Sequence, residues 1–442
     1  MSDNRDYRRH IDDERRIQRR KMRKKRQRDN FIKRVIFLSF LVVLMVFAIK
    51  LIGKNLPSSS NNETAKKNSV NNNTNNQQNP NRKNPSKEPF TQIKMVATGD
   101  IMFHKPQITA AYDKNSGKYN FSSYFAKVKK YLDKADIVVG NFEGTVNEKE
   151  KLVGYPLFNA PMEAMATLKE AGFDVLSTAN NHCCDLKAQG IISTIDAIEK
   201  NGMKHFGTNK EKNAPALIQD VKGIKIGFLS YSYGFNGMEG TLKEEERAYM
   251  ISPIKEGKIK EDIEKIKKDG AELVVIYPHW GEEYMRTPTQ TQKDLAHKFI
   301  DWGADLVLGS HPHVLQGTEF VEKDGTKKFI AYSMGNIISN QRRETLDNNR
   351  HTEAGVFFDI DIKRDNNTGK ITVENVDFIT TWVNREEKNG KRIYEVLPTR
   401  DFKEGGELRN TVNKTVLDKI LISGEESMKV LKPGGVNSKT DN

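Results

Sequence analysis

Met95-Val96-Ala97-Thr98-Gly99-Asp100 is an apolar, β-branched run that stops at a carboxylate. The same form recurs in Ile137-Val138-Val139-Gly140-Asn141-Phe142-Glu143, in Val274-Val275-Ile276-Tyr277-Pro278-His279 and in Leu306-Val307-Leu308-Gly309-Ser310-His311. Runs without polar alternation read as strands buried on both faces, and in such α/β sheets ligands gather at the strand ends. Asn181 and His182 follow a further short run, Asp174 to Ser177, and His313 lies two residues beyond His311. Packing alone does not call for Asp, Glu, Asn and His at successive strand ends. The pattern predicts an α/β domain whose sheet edge carries the rim of a two-metal hydrolase.

Working outward, strands are predicted at 93–98, 137–140, 174–177, 224–230, 273–277, 305–308 and 329–332. Helices are predicted at 122–133, 161–171, 187–200, 259–268 and 291–302, with Pro161 at a tolerated first position and Gly202 as a stop. The alternating segments 355–362 and 371–380 read as antiparallel strands, which makes the whole a layered sandwich. Beyond residue 402 only 412–422 has apolar content, predicting a peripheral helix, and the chain after Lys432 is expected to be disordered.

The ends of the chain differ from its middle. The net charge of +13 over 442 residues is concentrated in a basic arm, residues 1–34, where Arg15, Arg16, the stretch Arg19 to Arg28 and Lys33-Arg34 cluster. A basic arm can bind nucleic acid. Here an apolar stretch, residues 35–53, follows at once, so a single transmembrane anchor is expected and a nucleic-acid role is not. The positive-inside rule places the arm in the cytoplasm and the rest outside, in a single pass. A cleaved secretory signal is the alternative, and Ile52-Gly53-Lys54-Asn55-Leu56 is a poor cleavage site for it. Residues 54–90, rich in Asn, Ser, Lys, Gln and Pro, read as a disordered linker. The only two cysteines, Cys183 and Cys184, are adjacent and imply no disulfide framework. They read as buried residues beneath a catalytic loop, or as a thiolate pair beside His182.

A two-metal site requires a carboxylate able to bridge, further oxygen ligands, and imidazoles that leave a position open. Asp100, Glu143, Asn181, His279, His311 and His313 supply that inventory. The mixture suits two divalent ions of Mn, Zn or Fe.

These residues lie in segments that carry a resemblance. Gly99-Asp100-Ile101-Met102, Gly140-Asn141-Phe142-Glu143-Gly144, Ala179-Asn180-Asn181-His182 with Asp185, His279-Trp280-Gly281-Glu282-Glu283-Tyr284, Gly309-Ser310-His311-Pro312-His313-Val314 and Ser333-Met334-Gly335-Asn336 occur in order. Over roughly residues 94–340 the chain resembles the CapA/PgsA family of poly-γ-glutamate capsule biosynthesis proteins, itself related to calcineurin-like metallophosphoesterases. The resemblance implies a metallophosphoesterase-like layered αββα sandwich; with the segments read above, this domain spans 91–402, preceded by one transmembrane helix and followed by a C-terminal extension, 403–442. It implies one metal held by Asp100, Glu143 and His313 and a second by Glu143, Asn181, His279 and His311. His182 would be catalytic, with Asp185 orienting it, unless Asp185 only caps the following helix. Met102 stands where the phosphoesterase pattern has a His, and Glu143 where it has the bridging Asp. Both departures resemble the capsule family, and His104 is then a substitute ligand, a substrate contact or a plain loop residue. His104, Asn141, Trp280 and Arg286 are the candidate substrate-binding residues. The segment Tyr155 to Pro161 would wall the cleft, and Arg342 and Arg343 are further surface candidates for an anionic polymer.

Three readings follow. The first is a membrane-anchored protein of poly-γ-glutamate capsule synthesis or export, with metal-assisted hydrolysis or transfer at a phosphoester or amide. The second is a non-catalytic polymer-binding subunit docked on membrane-embedded capsule synthase subunits. The third is a generic cell-surface phosphoesterase.

Overall fold

The runs without polar alternation form the central strands of two sheets, as residues that must be covered on both faces require. The computed structural model describes residues 88–388 and 390–431. The basic arm, the apolar stretch 35–53, nearly all of the linker and the tail after Leu431 lie outside the described residues. Among the described residues no helix is long and apolar enough to cross a membrane.

The first sheet has eight strands. Their order is Lys391–Pro398, Ile371–Lys388, Ala354–Asp365, Phe90–Ile101, Ile137–Phe142, Val175–Ser177 and Lys204–Phe206, with Asn336–Ile338 also paired to Phe90–Ile101. The second has six, in the order Thr318–Lys323, Thr326–Ala331, Leu306–Leu308, Leu273–His279, Ile224–Ser232 and Leu217–Val221. The first is antiparallel from Lys391–Pro398 to Phe90–Ile101 and parallel from there to Lys204–Phe206, and the second is parallel at the centre with an antiparallel strand at each edge.

The two-residue period of a strand divides each apolar run between two cores. Met95, Ala97, Val139 and Val175 of the first sheet pack against Phe228, Val275, Leu308 and Phe329 of the second. Val96, Val138 and Leu176 face the opposite way, onto Leu168 and Ile198 of the helices Met162–Ala171 and Lys187–Lys200. Val274, Ile276 and Val307 face Ile259, Ile263 and Phe299 of the helices Glu256–Lys268 and Gln290–Trp302. The result is an α/β/β/α sandwich.

Two expected elements come out differently. Over 122–133 only Lys129–Leu132 is α-helical. Phe121, Tyr124, Phe125 and Val128 are buried at helix-like spacing. Their backbone there makes bonds of the i to i+3 kind, Tyr124 to Phe121 and Val128 to Phe125, so the chain forms successive turns. The C-terminal helix runs from Lys414 to Leu431, nine residues past the expected end, and packs on the same domain. Its buried stripe, Ile420, Gly424, Ser427 and Leu431, contains two residues that carry no apolar signal. Gly424 is required there: a Cβ would lie 2.6 Å from Thr399 Oγ1.

Candidate metal centre

Strand register sets the site. Asp100 is the register partner of Asn141 on one side and of Asn336 on the other, so three polar residues lie in a row across three adjacent strands. In the second sheet His279 pairs with Ser232 and bridges to Ser310. Close approach of the backbones keeps these ends together. A Cβ on Gly99 would lie 2.2 Å from the Gly335 carbonyl, and one on Gly309 2.1 Å from that of Tyr332.

Asp100, Glu143 and His279 are fully buried, and each brings a ligand atom within 4.8 Å of the others. His279 Nε2 and His313 Nε2 are each 3.8 Å from Glu143 Oε1. The remaining ring atoms are held from behind. His279 Nδ1 lies 3.1 Å from Ser310 Oγ, and His313 Nδ1 lies 3.2 Å from Asp100 Oδ2 and 3.1 Å from Asn336 Oδ1. Such outer contacts fix the ring orientation of metal-binding histidines. Asn181 Oδ1 accepts from His279 Nε2 at 2.9 Å, and Asn141 Nδ2 donates to Asp100 Oδ1 at 2.8 Å.

His311 and His313 reach the cluster by a route other than strand alternation. The strand ends at Leu308, and both histidines have positive φ, 97° and 57°. Non-glycine residues in that region cost of order 1–3 kcal/mol each and collect at functional sites. His311 N–H donates to Asp100 Oδ2 at 3.2 Å, which helps to hold the turn.

The buried polar atoms left without a partner include both oxygens of Glu143, Oδ1 of Asn141 and Nδ1 of His311. Buried polar groups are almost always satisfied, so acceptors converging at one point mark a place made for a cation. Two carboxylates, imidazoles and an amide oxygen fit a divalent transition ion.

Burial pushes the Glu143 carboxyl well above the usual carboxylate range, with His313 opposing and Asp100 adding to it. Burial pushes the His279 and His311 imidazoles well below their usual value. Burial also acts to lower His313, but the Glu143 and Asp100 carboxylates outweigh it and raise it to about 10. Below that pH His313 carries a proton that a metal ion must displace. Metal affinity is therefore expected to rise with pH, by up to about tenfold per unit, and to level off towards pH 10. Calorimetric titration of the metal in buffers of different ionisation enthalpy checks it; uptake without proton release would remove His313 from the ligand set.

His182 and Asp185 form a unit beside the cluster. His182 Nδ1 is 2.8 Å from Asp185 Oδ2, which also accepts from Phe158 N–H at 2.6 Å. The helix cap falls to Leu186 instead, so Asp185 orients His182 and does not cap. Phe158 sits edge-on to His182 and to His104, with ring centroids 4.7 and 4.9 Å apart. The wall segment thus supplies Phe158 from below, while Tyr155 is 71% exposed at its top. His104 is buried and lowered to about 3 by burial and the charge on His313, and its Nδ1 accepts from Asn340 N–H at 3.2 Å. Cys183 and Cys184 are free thiols buried with Ile191, Ile195 and Phe235.

Of the candidate substrate contacts, one lies inside the cluster and two lie away from it. Asn141 is wholly buried and serves Asp100. Trp280, one step past His279 on the strand, points to the helix side: it is buried, stacks on Phe299 and donates from Nε1 to the Tyr332 carbonyl at 2.9 Å. Arg286 lies against His351 and the Glu426 carbonyl, and Arg343 is paired with the buried Glu353. Arg342 is buried too, donating to the Val383 carbonyl. The sequence reading assigned no role to Ser310, Asn336 or Tyr233. Ser310 and Asn336 lie inside quoted motifs, and their polarity between apolar strands is the available signal. Tyr233 follows the strand Ile224–Ser232 and lies 4.5 Å from the ring of His311. It carries no local signal.

Fold and site define a class: α/β/β/α sandwich proteins with a buried carboxylate–imidazole cluster where the ends of the two sheets meet. Within that class, the chain belongs to the bacterial capsule synthesis protein family PGA_cap, whose model matches residues 94–341. It is 33% identical to the capsule biosynthesis protein CapA of Bacillus anthracis, over 57% of this chain and 60% of that protein. It is 30% identical to the PGA biosynthesis protein CapA of Bacillus subtilis, over 55% of this chain and 62% of that one. The chain thus matches less than two thirds of the length of these relatives. Among solved structures, the calcineurin-like phosphoesterase YfkN of Bacillus subtilis overlaps 77% of this chain and 99% of its own, at 14% identity and a TM-score of 0.37.

Proposed function

We propose that this chain carries out a metal-assisted hydrolysis or transfer, at a phosphoester or amide centre, in the synthesis or export of an anionic surface polymer of the poly-γ-glutamate kind. The observation that carries the reading is the Glu143 carboxylate, buried without a hydrogen-bond partner between His279, His313 and Asp100. Asp100, Glu143 and His279 would hold a divalent ion, and His313, His311 and Asn181 would complete the ligand set of a pair. When bound, such ions supply Lewis-acid stabilisation of charge at the attacked centre and lower the pKa of water. The chain's own residues do the rest. Asp185 keeps His182 Nδ1 engaged and so leaves Nε2 to move a proton to or from the substrate. Phe158 holds the imidazole edge-on and excludes water from its inner side.

The basic arm and the apolar stretch 35–53 support a membrane-anchored protein with this domain outside the cell, working beside membrane-embedded synthase subunits. A binding or assembly subunit is favoured instead by Met102, which stands where the phosphoesterase pattern has a metal-binding His. Elemental analysis of the full chain in detergent, purified without chelator, beside its His311→Ala/His313→Ala variant separates the two. Near-stoichiometric transition metal that the variant loses supports the enzyme; a folded protein that stays metal-free after reconstitution with Mn or Zn supports the subunit.

A further inference from the structure

Arg286 leaves the candidate metal centre and enters a second charged place. The loop after His279, the turn Arg350–Glu353 and the helix Lys414–Leu431 enclose a cleft lined by Arg286, Arg350, His351, Lys419, Ser423 and Glu426. Its cations are not all matched. Arg350 is paired with Glu426, and the neighbouring Arg343 with Glu353. Among the described residues, Arg286 and Lys419 have no carboxylate within ion-pair distance. Arg286 is half-buried, donates to His351 Nε2 at 3.3 Å and to the Glu426 carbonyl at 3.2 Å, and leaves its Nε inside without an acceptor. A guanidinium held by two neutral acceptors, with a further donor unmet, is arranged for an oxyanion. The space is about 40 Å³. A water needs roughly 10–15 Å³ on that measure, so the cleft has room for a group the size of a carboxylate.

We propose that this cleft is a carboxylate-binding subsite, distinct from the histidine–carboxylate cluster, which grips the anionic polymer strand through Arg286 and Lys419. The polymer identity rests on the function proposed above; the anion site does not. Two separated grips, one on charge and one on the reacting centre, would hold a long chain in register while the reaction itself stays at the cluster.

The test is fluorescence anisotropy of a labelled γ-linked glutamate pentamer on the full chain in detergent, with inorganic phosphate as competitor and metal content measured in parallel. Lys419→Glu, on a partly exposed helix position, is expected to weaken pentamer binding at least tenfold and to leave metal content unchanged. Arg286→Gln is expected to weaken it in the same direction. Glu143→Gln is expected to lose metal together with whatever share of pentamer binding the cluster holds, while Lys419→Glu in that background still weakens what remains, which separates failure of this site from failure of the metal reading. Binding unchanged in folded Lys419→Glu, or lost in Glu143→Gln and kept in Lys419→Glu, would overturn the subsite. So would phosphate binding as tightly as the pentamer, since the strand would then add nothing.

Discussion

Glu143→Gln is expected to raise the melting temperature of the metal-free protein while abolishing its divalent-metal binding. Both carboxylate oxygens are buried and unpartnered, and their nearest cationic neighbour, His313, stands 3.8 Å away. A buried charge without full compensation costs several kcal/mol, part of which His313 offsets here, so a gain of about 1–2 kcal/mol is expected on neutralisation. The sign with pH follows. Glu143 and His313 both hold their protons more tightly in the folded protein than in the unfolded chain. Metal-free wild type should therefore lose stability as pH rises above the ordinary carboxylate range and on towards 10, and the variant should lose less. Metal reverses the ranking, because an ion at a thousandfold over its Kd adds about 4 kcal/mol to the wild type alone. Differential scanning calorimetry with and without Mn measures all of this. A metal-free variant less stable than wild type would make Glu143 and His313 a structural ion pair.

His182→Ala should behave oppositely, retaining metal while any turnover falls by about 10²–10⁴-fold. The imidazole is held by Asp185 and Phe158 and is not one of the three clustered ligand residues, so its loss should leave the cluster intact. Asp185→Asn is the finer variant. The same oxygen, Oδ2, accepts from Phe158 N–H and meets His182 Nδ1, so an amide oxygen there keeps both contacts while the charge that stabilises a protonated His182 is lost, and turnover should fall with folding preserved. Phosphate or γ-glutamyl product release, measured beside metal content, reads both. An His182→Ala protein that lost its metal would move His182 into the ligand set.

The chemistry-bearing positions were legible because each ends an apolar run. Asp100, Glu143, His279 and His311 are polar residues at the only places where a strand buried on both faces can leave the core, and that is a one-dimensional signal. It failed where direction mattered. Trp280 follows a candidate ligand in sequence but takes the opposite face of its strand, and Arg286 is carried by a loop turn to a different cleft. The long C-terminal helix was half hidden, because Gly424 and Ser427 pack by being small, a property of the partner surface at Thr399.

By itself the sequence determined that buried parallel strands would gather carboxylates and imidazoles at one edge, since apolar runs force burial and their polar ends must emerge together. The tertiary structure alone decided which of those groups meet. Register set Asp100 beside Asn141 and Asn336, left-handed backbone at His311 and His313 turned their rings inward, and the packing of two sheets stranded the Glu143 carboxylate without a donor. These depend on distances between segments far apart in the chain, which local residue preferences do not encode.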